Sequence, residues 1–316
     1  MVCLAAAVLF TACGPDAFDG DGNWWTRMNM ATGVKSITEV STYEGGSSTT
    51  TYEYDKAGKL VKLMDEWNEE VYTYNADGLI AKFVQTSKGA GGSNATYSRT
   101  YTYGDANKDR YLPRQVMGGG MPMHLDRAGL LPGLVKIETD SNGEKTVIEF
   151  SFKGDVLTIK GTGKNEWDNY ETTCEYAGAY PNKAQNKYEF MGPITYYENG
   201  MIKSYREGFL DEEGAITTDC TTTYKNFENK LNLQEKMVEV FTGGGQTTVT
   251  STYDKYGNLI KELNEYQDAD SHNSEYFECS YEYDNKGMWT KMTSKWVNNN
   301  GQVYNQSTVT RTIVYY

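Results

Sequence analysis

An all-β fold, an array of antiparallel β-hairpin repeats forming an open or curved extended sheet, is what this sequence predicts. Three observations lead there. The 316 residues include 26 tyrosines and 32 glycines but only six prolines, a composition of aromatic strands joined by glycine turns. The hydrophobic share is 38% even with tyrosine counted, which favours a thin or elongated body over a deep core. A tyrosine–acid–glycine motif recurs along most of the chain.

The motif reads Tyr52-x-Tyr54-Asp55-x-x-Gly58-x-Leu60, then Tyr72-x-Tyr74-Asn75-x-x-Gly78-x-Ile80. It returns as Tyr253-Asp254-x-x-Gly257-x-Leu259 and as Tyr281-x-Tyr283-Asp284-x-x-Gly287. Weaker copies pass through Tyr101-x-Tyr103, Tyr176, Tyr197 and Tyr224, at spacings of about 20 to 30 residues outside the gap between Tyr103 and Tyr176. Tyr-x-Tyr sets two rings on one face of a strand, because strand side chains alternate. Asp or Asn then opens a turn by accepting backbone N–H bonds. The glycine three residues later supplies the positive φ that a type I turn with a bulge requires. One such hairpin is marginal alone in water, so neighbouring hairpins must stack to bury an apolar face. The repeated tyrosines read mainly as cross-strand packing residues.

These residues resemble the YD repeat of the Rhs family, whose core is Tyr-Asp-x-x-Gly-x-Leu. Tyr196-Tyr197-Glu198-Asn199-Gly200-Met201-Ile202-Lys203 resembles a MORN-type antitoxin repeat. The resemblance covers most of residues 40–290 and implies hairpin architecture without naming a ligand. Large Rhs proteins wind such hairpins into a shell around a toxin. This chain has no toxin-like C-terminal segment, and an open or loosely curved sheet is the expectation.

At the N-terminus, Val2 to Phe10 is an unbroken apolar run followed by Thr11, Ala12 and Cys13. Twelve helical residues would reach only about 18 Å, too short for a hydrocarbon core of roughly 30 Å. A short apolar run ending in small residues is a signal-peptide pattern. Leu9-Phe10-Thr11-Ala12-Cys13 resembles the bacterial lipobox in its looser Bacteroidetes form, which implies lipidation at Cys13. Gly14 to Asn23 follows as a solvated, acidic tether, loosely similar to the surface-export signal of some Bacteroidetes lipoproteins. The expected organisation is a signal peptide over 1–12, a lipidated tether over 13–33 and N-terminal hairpin repeats over 34–112. A Gly/Met/Pro-rich connection over 113–133 and C-terminal hairpin repeats over 134–316 complete it. The expected location is the outer membrane, lipid-anchored and facing the cell surface.

A net charge of −13 without a Lys/Arg stripe argues against a nucleic-acid partner and against docking on anionic lipid through the protein surface. No metal site and no cofactor are expected. The two histidines, His124 and His272, have no Cys or His at ligand spacing. Asp19-Gly20-Asp21 imitates a calcium loop, but Trp24 and Met30 stand where that loop needs Gly and Glu. No Gly-x-Ser-x-Gly elbow is present, and no catalytic residue is assigned. Trp167 and Trp296, with Asn or Asp close by in sequence, are the candidate ligand contacts. The functional expectation is a non-enzymatic binding or assembly module whose partner, beyond the membrane, is a protein or glycan. A secreted glycan hydrolase, or an accessory subunit of a polysaccharide-uptake system, stands as the alternative. Cys174, Cys220 and Cys279 are expected to remain thiols. Cys220 and Cys279 each lie four residues before an anchor tyrosine, on its face of the strand, and are expected to be buried as small hydrophobes.

Overall fold

The computed structural model describes residues 33–88, 94–105, 110, 133–197, 202–226, 234–256 and 258–316. Residues 1–12, read above as a signal peptide, the tether up to residue 32 and the expected 113–133 connection apart from Gly133 lie outside them. In chain order the strands are β1 Val34–Tyr43, β2 Gly46–Tyr54, β3 Leu60–Met64, β4 Asn68–Tyr74, β5 Ile80–Lys88, β6 Asn94–Tyr103 and β7 Leu134–Ser141. There follow β8 Glu144–Lys153, β9 Val156–Thr162, β10 Tyr170–Ala177, β11 Tyr180–Gln185, β12 Glu189–Met191, β13 Thr195–Tyr196 and β14 Ile202–Leu210. The last are β15 Ile216–Asn226, β16 Gln234–Phe241, β17 Gln246–Tyr253, β18 Leu259–Gln267, β19 His272–Tyr283, β20 Trp289–Asn298 and β21 Val303–Tyr315. The chain forms two compact units. One holds the described residues of Met1–Leu60, Tyr224–Glu239 and Gly244–Tyr316, and the other those of Val61–Thr223 and Val240–Gly243.

The all-β expectation holds, but the open or curved extended sheet does not. An open array would leave its first and last strands as edges. Here, within the first unit, β1 pairs with β2 on one side and with β21 on the other. The β1–β21 ladder runs from Val34↔Tyr315 to Tyr43↔Ser307. All 21 strands of the described residues belong to one sheet, and every described pairing is antiparallel. With its terminal strands joined, the pairing is that of a closed β-barrel. β12 and β13 both lie against β14, opposite Glu207–Phe209 and Ile202–Ser204 respectively. They share one place in the ladder, interrupted where Pro193 offers no N–H, so the 21 segments fill 20 strand positions. Closure removes the exposed N–H and C=O groups that an open sheet presents at both edges.

The turns form where the sequence places them. Asp55, Asn75, Asp254 and Asp284 each donate a backbone N–H to the carbonyl four residues on, at 2.8–2.9 Å. Gly58, Gly78 and Gly287 have φ of +82°, +78° and +82°, while Gly257 lies outside the described residues. The Asp55 Oδ1 accepts from Ala57 and Lys59 N–H at 2.8 and 2.9 Å. Asp284 does the same for Lys286 and Met288.

The next strand begins with a register shift. It falls between Thr73 and Tyr74 in β4–β5, between Thr252 and Tyr253 in β17–β18, and between Glu282 and Tyr283 in β19–β20. A bulge takes one residue out of the ladder, and tyrosine hydroxyls reach these sites. Tyr103 Oη donates to the Ile80 carbonyl at 2.8 Å and Tyr281 Oη to the Leu259 carbonyl at 3.1 Å. The repeat tyrosines therefore pack and also bond the backbone at the bulge.

One sheet face carries the core in each unit. In the first it holds Ile37, Tyr52, Leu60 and Trp289, each no more than 4% exposed. In the second, Tyr101, Ile137 and Ile148 stand in one row across β6, β7 and β8, and Tyr72 meets Phe83 with ring centroids 5.2 Å apart. Each such side chain contributes about 1.5–3 kcal/mol by leaving water. Cys174, Cys220 and Cys279 are thiols. Cys174 is fully buried, and burial pushes its thiol up to about 12. Cys220 and Cys279 are half-buried rather than buried; their cross-strand partners are the polar Glu207 and Ser294 and not core apolar residues.

The opposite face is built for water. Lys261, Glu278 and Lys295 lie in mid-strand across β18, β19 and β20, with Glu278 3.8 Å from Lys261 and 2.9 Å from Lys295. Lys291 and Glu282 pair at 2.8 Å. In the second unit Lys62 pairs with Glu69 at 3.1 Å. Lipid-facing barrel strands instead carry an apolar band, where a mid-bilayer Lys costs about 2–4 kcal/mol.

Candidate functional site

Along the β1–β21 ladder the core-side face changes character within four residue pairs. Ile37↔Ile313 is apolar, Glu39↔Arg311 ionic, Ser41↔Val309 mixed and Tyr43↔Ser307 polar. Arg311 donates from Nε and Nη2 to Glu39 Oε1 at 2.8 and 2.7 Å. Tyr52 Oη donates to Glu39 Oε2 at 3.2 Å, and the guanidinium lies 3.3 Å from the centroid of the Trp289 ring. The Arg311 and Glu39 side chains are 1% and 6% exposed. With both charges bonded to each other and hydrogen-bonded or stacked beyond the pair, the burial is tolerated. The cluster closes off the core at this level. Beyond it the face is lined by hydroxyls, with Ser294 and Ser307 bonded at 2.7 Å across β20–β21.

At the end of this ladder lies a groove of about 530 Å³, lined by Thr42, Tyr43, Glu44, Val303, Tyr304, Asn305, Gln306, Ser307 and Thr308. That size falls within the about 300–1,000 Å³ of small-ligand sites. Tyr43 and Tyr304 expose 48% and 50% of their surface. Both rings are held. A Cβ at Gly46 would lie 3.5 Å from the Tyr43 ring, so that ring packs over the glycine opposite it. Tyr304 Oη donates to Glu275 Oε2 at 2.8 Å, and this bond holds the phenol above its usual pKa. Glu44 is the single carboxylate among the lining residues, with Glu275 behind Tyr304 on its hydroxyl.

Of the residues singled out from sequence, Trp296 lies beside this groove. It pairs with Asn305 across β20–β21, is half-buried, and its ring stacks on Phe277 with centroids 5.1 Å apart. Trp167 lies in the other unit, in the 3₁₀ turn Glu166–Asp168. That turn is fixed by Asn165, whose N–H and Nδ2 both donate to Asp168 Oδ2 at 3.0 Å. The Trp167 side chain and Cys13 lie outside the described residues. Sequence reading missed Tyr43, Tyr304 and the Glu39–Arg311 pair. Only closure brings β1 beside β21, and no local motif marks it. Among the described residues no group of three or more His, Cys, Asp or Glu is placed to hold a metal ion.

No family model and no curated protein matches this sequence. Among solved structures, the chain is similar to a porin-like protein from Bacteroides uniformis ATCC 8492, with a TM-score of 0.37 and 13% identity over 89% of this chain and 98% of that one. A porin-like protein from Bacteroides vulgatus ATCC 8482 is similar with a TM-score of 0.28 and 11% identity, over 90% and 99% of the two chains.

Proposed function

We propose that this chain is a lipid-anchored protein of the outer membrane that acts as a non-enzymatic binding module, engaging its ligand at the groove between β1 and β21. The carrying observation is the division of labour between the two sheet faces. The exposed face bears Lys261, Glu278, Lys295, Lys291 and Glu282 in ion pairs, which suits water and not acyl chains. Attachment to a membrane then falls to the N-terminal segment, where the apolar run ends at Cys13. The groove supplies aromatic surface and uncharged hydrogen-bonding groups. Mass spectrometry of the mature protein should find an acylated N-terminal Cys13, and Cys13→Ala should move the protein from the membrane to the soluble fraction. A mature protein that retains residues 1–12 ends this reading.

A further inference from the structure

We propose that the groove at the β1–β21 ladder binds a neutral oligosaccharide; the inference rests on the binding-module reading and names its ligand class. Two features of the groove argue for it.

The first is the chemistry of the lining. Asn305 and Gln306 each offer an amide donor and acceptor, and Thr42 and Ser307 offer hydroxyls that can do either. A sugar hydroxyl is also both donor and acceptor, so this mixed set satisfies it in either sense. No Lys or Arg lines the groove, and Glu44 does. An anionic ligand would meet a like charge and no counter-charge.

The second is the pair of rings. Tyr43 and Tyr304 stand about half exposed, each an apolar ring with a polar tip. Such rings suit the C–H faces of pyranosides while the hydroxyl edges take hydrogen bonds. The Gly46 contact and the Glu275 bond fix both rings beforehand, so little side-chain freedom is lost on binding. Trp296 pairs with the lining residue Asn305.

The test is affinity gel electrophoresis of the mature chain through gels containing glycogen, xyloglucan or galactomannan, with polygalacturonate as the anionic probe. At least one neutral polysaccharide should retard the protein. Tyr43→Ala and Tyr304→Ala should each weaken that retardation about tenfold or more, as for aromatic anchors of other interfaces. Tyr304→Phe keeps the ring and should stay within a few-fold of the parent. Trp67→Ala, an exposed aromatic of the other unit, should change nothing. Circular dichroism confirms that each variant is folded. Retardation by none of the neutral polymers overturns the proposal. So does retardation by polygalacturonate alone, or retardation indifferent to both tyrosine truncations. Any of these outcomes leaves the anchoring at Cys13, read by mass spectrometry, untouched.

Discussion

The two carboxylate oxygens of Asp284 serve different strands. Oδ1 takes the Lys286 and Met288 amides of its own turn at 2.9 Å each, and Oδ2 takes the Tyr315 hydroxyl at 2.6 Å. Asp254 repeats the arrangement, bonded by Tyr256 and Asn258 amides in its turn and by the Tyr283 hydroxyl of the next repeat. The acid of the motif thus folds its own hairpin and ties down the following one. Burial pushes the Asp284 carboxyl up, but the Tyr315 hydroxyl, the two turn amides and the Lys286 charge outweigh it and hold the group below its usual range. A carboxyl depressed by folding adds stability above its unfolded pKa and loses it as pH falls through the folded one. Tyr315→Phe should therefore cost about 1 kcal/mol at neutral pH, a modest value for a partly solvated charged hydrogen bond. The difference from the parent should vanish as the acid limb is approached. Urea unfolding at pH 7 and pH 3 reads both, and a deficit equal at the two pH values contradicts the assignment. The turn half of this role was legible in the sequence, since Asp-x-x-Gly is local. The tyrosine half was not, because the partner lies in the next repeat and only the fold sets the distance.

At the scale of the hairpin, sequence and structure agree on where the chain reverses and differ on how strands begin. Asp55 and Gly58 mark the turn from local chemistry alone. The register shift that follows was foreseen as a bulge, but its consequence was not: it draws a tyrosine hydroxyl onto a strand-start carbonyl, as Tyr103 does at Ile80 and Tyr281 at Leu259. Cross-strand packing therefore explains only part of why the motif prefers tyrosine to phenylalanine. The cysteines show a similar limit. Alternation gave Cys279 the same face as Tyr281 and Tyr283, and that face is the core face. It did not foretell how far along the strand the core reaches, and Cys279 stays half-buried. The glycine itself makes a direct test. Gly58 sits at φ +82°, where a β-branched residue is strained, so Gly58→Val should destabilise by about 1–3 kcal/mol. Gly243, at the β16–β17 turn, lies outside the positive-φ region and has no atom within 4 Å of a Cβ position. Gly243→Ala should leave the urea midpoint near that of the parent, and equal losses at both sites would remove backbone strain as the cause.

Over the whole chain, the decisive contact is the one a repeat pattern cannot announce. Each motif specifies its own turn and an adjacent strand, and an array built by that rule alone has two free ends. Glu39 and Arg311 join those ends although 272 residues separate them in sequence. Their cost if mispaired gives the closing register its specificity, because a slip of one strand by one residue would move its charge to the other face and leave the partner charge buried and unpaired. The same ladder assembles the groove, so the ligand site and the closure are one structural event. Closure makes a prediction that an open sheet cannot satisfy. Thr38 stands directly opposite Thr312 in β1–β21 and opposite Thr51 in β1–β2. Facing residues of an antiparallel pair have Cα atoms about 4.5–5.5 Å apart, within reach of a disulfide. The double variant Thr38→Cys with Thr312→Cys should oxidise to a bridge between residues 38 and 312, identified by non-reducing peptide mapping. Thr38→Cys with Thr51→Cys, a pair of hairpin neighbours, serves as the reference for bridge formation on this face. In an open array Thr312 would lie at the far end of the sheet from Thr38, and the first pair would stay reduced while the second cross-linked. That result would sink the closed pairing and, with it, the groove.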